Sequence, residues 1–278
     1  MRFLVTGATG LLGPYLLDEA RRFGPTVGVA RAGSDHNCDL ESAQEVRDLI
    51  LELRPDVVLH AAALTDVDQC EADPVSADRA NAVVTRNLAA ALQGEARFVY
   101  ISTDQVYPDR AGLKREGEES PVNAYGRSKL AGESAALARP RSLVLRCNMF
   151  GPSRTPSRHS FSDWIVGSLS RGDPITLFTD VLFSPLLFST LAATTLDCVS
   201  RGIHGTFNLG SRNGSSKRDF AVMIARHFGL SLGNTRDGLS SQVVTRAPRP
   251  LDLRLDVTRL EAALGRQMPT LQEEVMRL

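Results

Sequence analysis

Residues 2–13 leave this chain very few folds to choose from. An apolar run, Arg2-Phe3-Leu4-Val5-Thr6, passes without a linker into Gly7-Ala8-Thr9-Gly10-Leu11-Leu12-Gly13. Tyr15, Leu16, Leu17 and Ala20 then recur at helical spacing. Strand, glycine-rich turn and helix in direct succession is the context that a dinucleotide-binding turn requires. Gly7, Gly10 and Gly13 let the backbone turn tightly and approach a pyrophosphate, which would sit on the N–H groups that open the helix. Thr9, Leu11 and Leu12 belong to the same turn. The spacing is G-x-x-G-x-x-G, so its weight comes from its position after a strand rather than from the string itself.

The next 130 residues repeat the pattern. Thr26–Ala30, Asp56–His60, Arg97–Ile101 and Leu143–Arg146 read as strands, and 41–53, 78–92 and 124–137 as helices. Apolar strands alternating with helices predict an α/β fold, a doubly wound parallel Rossmann sheet. Beyond Asn148 the alternation fades, and 151–158 is a proline-, serine- and arginine-rich loop. The expectation is an NAD(P)-binding domain over 1–147, rejoined by about 186–210. A smaller substrate-binding lobe would comprise 148–185 and 211–278, including a helix from Lys217 to Phe228.

Charge narrows the partners. Basic and acidic residues number 32 each, so net charge gives no reason to expect nucleic acid or an anionic membrane. The longest apolar candidate, 181–196, is broken by serines, threonines and Pro185, which predicts no membrane span. A strand that begins at residue 2 argues against a cleaved signal, and cytoplasm is the default expectation. Cys38, Cys70, Cys147 and Cys198 and the five histidines are scattered without metal-ligand spacing, so no metal is expected.

Chemistry is signalled by Tyr125 and Lys129. Only three of the 32 basic residues are lysines, and only four residues are tyrosines. Four apart on a helix, the two side chains share a face. An ammonium beside a phenol favours phenolate and should lower a pKa that starts near 10. Ser102-Thr103-Asp104 ends the preceding strand, where the carboxyl ends of a doubly wound sheet line the ligand crevice. Past the second strand stands Arg31 rather than an acid, which suits a ribose 2′-phosphate. Asp39 and Leu40 are placed to meet an adenine edge. Ala61-Ala62-Ala63 ends a strand without bulk, so a ribose or phosphate could lie close.

These residues together resemble the extended short-chain dehydrogenase/reductase family. Within it, Arg54-Pro55-Asp56-Val57-Val58, the stretch from Ala61 to Asp68 and the block from Pro121 through Tyr125 and Lys129 to Glu133 are similar to the dTDP-4-dehydrorhamnose reductases. Arg249-Pro250 before Leu255-Asp256 resembles that group's tail. The resemblance implies NADP(H) as preferred cofactor, with NAD(H) left open, and a nucleotide-diphosphate sugar as substrate. Hydride would pass to a C4 ketone, Tyr125 would protonate the alkoxide, and Lys129 would hold the nicotinamide ribose. Thr103 would hydrogen-bond the substrate oxygen, with Ser102 beside the cofactor.

Gln105 stands where sugar-nucleotide 4,6-dehydratases of the family place a glutamate, and an amide cannot take the C5 proton. An epimerase of the same family is an alternative, as is a non-catalytic NADP-binding subunit like the methionine adenosyltransferase β-subunit. For the substrate, Asp104, Gln105, Asn148, Phe161 and Arg249 are the candidates. Arg154, Arg158 and Arg249 could grip a diphosphate, and Phe161 with Trp164 could stack on a base or mark a buried helix face. Ser184-Pro185 resembles the family's substrate-side turn. Asp252-Leu253 and Cys147-Asn148-Met149-Phe150 depart from the rhamnose enzymes. A homodimer is compatible with the chain.

Overall fold

A computed structural model describes residues 1–156, 158–243 and 246–278. Seven parallel strands make the central sheet: β1 (Phe3–Thr6), β2 (Thr26–Ala30), β3 (His36–Asn37), β4 (Val57–His60), β5 (Arg97–Thr103), β6 (Leu143–Cys147) and β7 (Gly205–Leu209). They lie in the order β7-β6-β5-β4-β1-β2-β3. The order reverses between β1 and β4, which puts the glycine turn at the switch point of a doubly wound sheet.

Alternating side chains of the buried strands feed two cores. Phe3, Val5, Leu59, Val99, Ile101 and Leu145 pack on one face against Leu12, Leu16 of the first helix (Gly13–Arg21), and Leu191 and Leu196 of another (Phe188–Ser200). Leu4, Val58, Phe98, Tyr100 and Val144 face the other way, onto Leu49 and Ile50 of the Ala43–Leu53 helix and Leu88. A third core joins Phe150, Ile165, Leu177 and Phe183 to Phe220 and Ile224 of the Lys217–Phe228 helix and to Leu271 and Val275.

Two expectations need correction. The helix expected over 78–92 is three pieces, Pro74–Asp78, a π turn at Arg79–Val83, and Val84–Ala91. The tail expected in the smaller lobe divides: Leu253, Leu255, Leu260, Leu264 and Met268 share the sheet-side core with Phe207 and Leu209. Their apolar faces cover β7, which would otherwise end the sheet exposed. Within the 151–158 loop, Ser157 lies outside the described residues.

Candidate active site

The cofactor side is built from backbone. Gly7 sits at φ +70°, and a methyl group there would lie 2.8 Å from the Ala62 nitrogen. One at Gly13 would lie 2.3 Å from the Gly7 carbonyl oxygen. The first helix starts at Gly13 behind Leu12, with no side-chain cap and with proline in its first turn, so no side chain competes for its opening N–H groups, although the Tyr15 N–H donates to the Leu12 carbonyl. A groove of about 620 Å³ runs past Gly7, Thr9, Gly10, Arg31, Asp39, Leu40 and Ala61–Ala63, with Arg158 at its edge. Nine of the expected cofactor residues therefore share one cleft, and it fits a dinucleotide: no bulk at the turn, small residues at the end of β4, a cation at the far end. Leu12 instead fills the core beneath the turn and Leu11 packs against it. Arg31 is largely exposed, 3.5 Å from Glu41.

At the chemical end, the helix Ala124–Leu137 is held by its first turn. Asn123 accepts from the Gly126 N–H, and Glu71 accepts from the Ala124 N–H at 2.6 Å. Thr103 ends β5 and Tyr125 packs beside Leu64, Val67, Cys70 and Ala77. The Tyr125 hydroxyl does not follow the expected direction. Burial pushes its pKa above the ordinary value, and the neighbouring Thr103 side chain pulls it back by less. Lys129 does not act on it here. Its ammonium donates to the Ile101 carbonyl at 2.8 Å and rests 4.0 Å over the Tyr100 ring. Burial lowers Lys129 to about 7, against the opposing pull of Cys147 and Glu133. A phenol kept protonated at neutral pH suits a proton donor rather than a base.

Tyr125 and Thr103 each adjoin a residue that lines a cavity. Leu64, against which Tyr125 packs, also lines the glycine groove. On the other side Asp104, buried and raised to about 6 chiefly by desolvation, accepts from Asn148 Nδ2 at 2.7 Å. Asn148 and Gln105 line a second cavity of about 330 Å³ together with Lys217, Arg246 and Arg249. Gln105 Oε1 accepts from Asn123 Nδ2 at 3.0 Å, so its amide is held in place.

Several expected contacts go elsewhere. Both terminal nitrogens of Arg249 donate to Asp68, at 3.0 and 2.8 Å, and Asp68 also accepts from the Ala247 N–H. Arg249 thus clasps the C-terminal segment to the short helix Val67–Ala72 that follows β4, and its partner Asp68 is held at about 2, mainly by that hydrogen bond. Arg154 pairs with Asp18 at 2.5 Å and covers Tyr15. Phe161 stacks on Trp164 at 5.8 Å. Ser184 is buried and accepts from the Leu255 N–H. The Ser102 hydroxyl donates to Glu133 at 2.5 Å, beneath the site.

Sequence reasoning missed four residues that hold this constellation. Asn81, in the π turn, bonds the Leu64 N–H and carbonyl and the Ser128 hydroxyl, tying the groove wall to the Tyr125 helix. Glu133 and Arg146 form a buried pair at 2.6 Å. Lys217 opens its helix inside the second cavity. Glu133 was findable: it lies four residues past Lys129, on the same helical face.

A sheet of this order, with its glycine turn at the switch point and a Tyr-x-x-x-Lys helix beside β5, is the build of the extended short-chain dehydrogenases/reductases. The family comparison agrees with it: the chain belongs to the family described as the RmlD substrate binding domain, matched over residues 1–278. A probable low-salt glycan biosynthesis reductase of Haloferax volcanii is 33% identical over 291 residues, covering 100% of this chain and 97% of that one. Methionine adenosyltransferase 2 subunit beta of Xenopus laevis is 30% identical, covering 96% and 84%. A solved dTDP-4-dehydrorhamnose reductase of Bacillus anthracis, in complex with NADP, superposes with a TM-score of 0.90 at 26% identity, covering 99% and 97%. The resemblance read from the Tyr125 block is borne out. Among the described residues no helix is long and apolar enough to cross a membrane.

Proposed function

We propose that this protein reduces the C4 ketone of a nucleotide-linked 4-keto-6-deoxy sugar with NADPH, and that Tyr125 is the general acid. It is a dTDP-4-dehydrorhamnose reductase-like oxidoreductase of sugar nucleotides. The observation that supports the finer reading most is that Tyr125 packs against Leu64 of the glycine groove while Thr103 caps the turn whose Gln105 lines the cavity shared with Asn148. When bound, NADPH supplies the hydride. Tyr125, protonated, gives its hydroxyl proton to the developing alkoxide, which is the stronger base. Thr103 orients the carbonyl oxygen, and Lys129 offers donors for a ribose once its side chain leaves the Ile101 carbonyl. Arg31 favours NADP(H), as does the NADP complex of the Bacillus anthracis neighbour; NAD(H) is the weaker alternative. A cytoplasmic biosynthetic role goes with this reading.

The test is NADPH consumption with a panel of dTDP-, UDP- and GDP-linked 4-keto sugars. Tyr125→Phe is expected to lose about 10²–10⁴-fold in kcat with NADPH affinity unchanged. A Tyr125→Phe protein with normal kcat would refute the acid assignment. Tight NADP binding with no consumption on any sugar would favour the binding-subunit alternative. Interconversion of two sugars without net consumption would favour the epimerase.

A further inference from the structure

Three stretches far apart in sequence close a ring of hydrogen bonds beside Tyr125. The short helix Val67–Ala72 reaches the start of the Tyr125 helix through Glu71, which accepts from the Ala124 N–H at 2.6 Å across 53 positions. Asn123, fully buried at that same start, donates from Nδ2 to the Pro248 carbonyl at 2.9 Å across 125 positions. The Ala247 N–H and the Arg249 guanidinium then return to the short helix at Asp68, across 179 and 181 positions. Tyr125 is the next residue after Asn123 and Ala124, and it packs against Val67 and Cys70 of the short helix.

The three sides of the ring differ in how firmly they are held. Asn123 also donates to Gln105 and accepts from the Gly126 N–H, away from water. A methyl group at Gly126 would lie 2.2 Å from the Gln105 carbonyl oxygen, so the helix start already rests hard on that turn. Glu71 makes a short bond in which the acceptor carries charge, the stronger kind. The third side faces solvent: the Asp68 side chain is 48% exposed and that of Arg249 27%. An ion pair so placed is screened and is the first of the three to yield. It also joins the walls of two spaces. Asp66 and Gln69, on either side of Asp68, line the glycine groove, while Ala247 and Arg249 line the Gln105–Asn148 cavity.

We infer that Asp68 and Arg249 are positioning residues that act as a latch, holding the C-terminal segment against the short helix so that the first turn of the Tyr125 helix stays fixed. The effect on catalysis rests on the reading of Tyr125 above; the closing of the ring does not. With both terminal nitrogens on Asp68, Arg249 serves the shape of the site rather than a substrate phosphate.

The experiment is amide hydrogen exchange, read by mass spectrometry on the NADPH-saturated protein, beside steady-state turnover of keto sugar. Asp68→Asn and Arg249→Met should each speed exchange in peptides covering 121–127 and 246–251 by roughly three- to tenfold, and leave the central sheet as in the wild type. The double variant should match either single, because one interaction is lost once. High salt should move the wild type towards Asp68→Asn and leave Asp68→Asn where it is. In both single variants kcat should fall by roughly three- to tenfold with the sugar KM unchanged. Unaltered exchange in Asp68→Asn overturns the latch. So does a KM rise confined to Arg249→Met, which would make Arg249 a substrate ligand. Exchange that responds as expected in a protein that reduces no keto sugar sinks the reductase reading and keeps the latch.

Discussion

Arg146 and Glu133 offer the sharpest test of how the catalytic elements are held. Their side chains are 4% and 2% exposed, and they meet at the junction of β6 with the Tyr125 helix. Arg146 Nη2 donates to Glu133 at 2.6 Å and Nε donates to both carboxylate oxygens, at 3.0 and 3.2 Å. Nη1 reaches the Tyr107 hydroxyl at 3.0 Å and also Glu119. Tyr107 in turn donates to Asn208 on β7. Ser102 spends its hydroxyl on the same carboxylate. The chain of bonds thus crosses β5, β6 and β7 directly beneath Thr103 and Lys129.

The geometry sets the magnitudes. Removing one partner of a buried pair costs about 3–5 kcal/mol, because the other charge stays uncompensated. Arg146→Met leaves Glu133 with Ser102 alone and should fall in that range. Glu133→Leu leaves Arg146 with Glu119 and Tyr107, so its cost should be smaller, about 2–3 kcal/mol. Replacing both together removes the pair as a unit, and such replacements by apolar residues are often neutral or stabilising. The double variant should therefore lie within about 1 kcal/mol of the wild type, giving a coupling of several kcal/mol. Urea unfolding of the four proteins, followed by circular dichroism and by NADPH affinity, measures the cycle. A double variant that costs the sum of the two singles would show that the groups do not sense each other.

Two further predictions follow from single positions. Gly13→Ala puts a methyl group 2.3 Å from the Gly7 oxygen and 2.6 Å from that of Ala8, both backbone; the turn must open, at about 1–3 kcal/mol, and NADPH titration should show at least a tenfold loss, with unaltered affinity contradicting the turn's role. Asp104 binds a proton up to about 6 in the fold against 3.8 when free. Between those values the folded state holds more protons than the unfolded one, so this residue's contribution to stability declines as pH rises through 4 to 6 and stays low above. Asp104→Asn should accordingly gain on the wild type by up to about 3 kcal/mol across that window, and parallel unfolding curves from pH 4.5 to 7.5 would rule the shift out.

How much was legible depended on whether the signal was local. Thr26–Ala30 and Ala124–Leu137 match the structure to the residue, because Pro25 and Asn123 mark their starts. The π turn at Arg79–Val83 was invisible, since it exists to carry Asn81 towards Leu64, a partner 17 positions away. The smaller lobe was faint because many of its strands have only two residues. Spacing on a helix put Tyr125 and Lys129 on one face but could not show that burial, rather than the ammonium, governs the phenol.

The lysines carry a compositional signal of their own. All but three of the 32 basic residues are arginine, and the lysines are 114, 129 and 217. None lies on the open surface. Lys114 is fully buried, its ammonium held by the Arg110 and Gly112 carbonyls; Lys129 lies under the active site; Lys217 is enclosed between two cavities. Arginine serves as well as lysine for solvated charge. Lysine differs in its compact three-donor head and in a pKa that burial can move, so it suits enclosed sites where a planar fork would not fit. In a chain that writes its surface charge with arginine, each lysine points to an interior cation, and the one not yet accounted for by fold or family is Lys217.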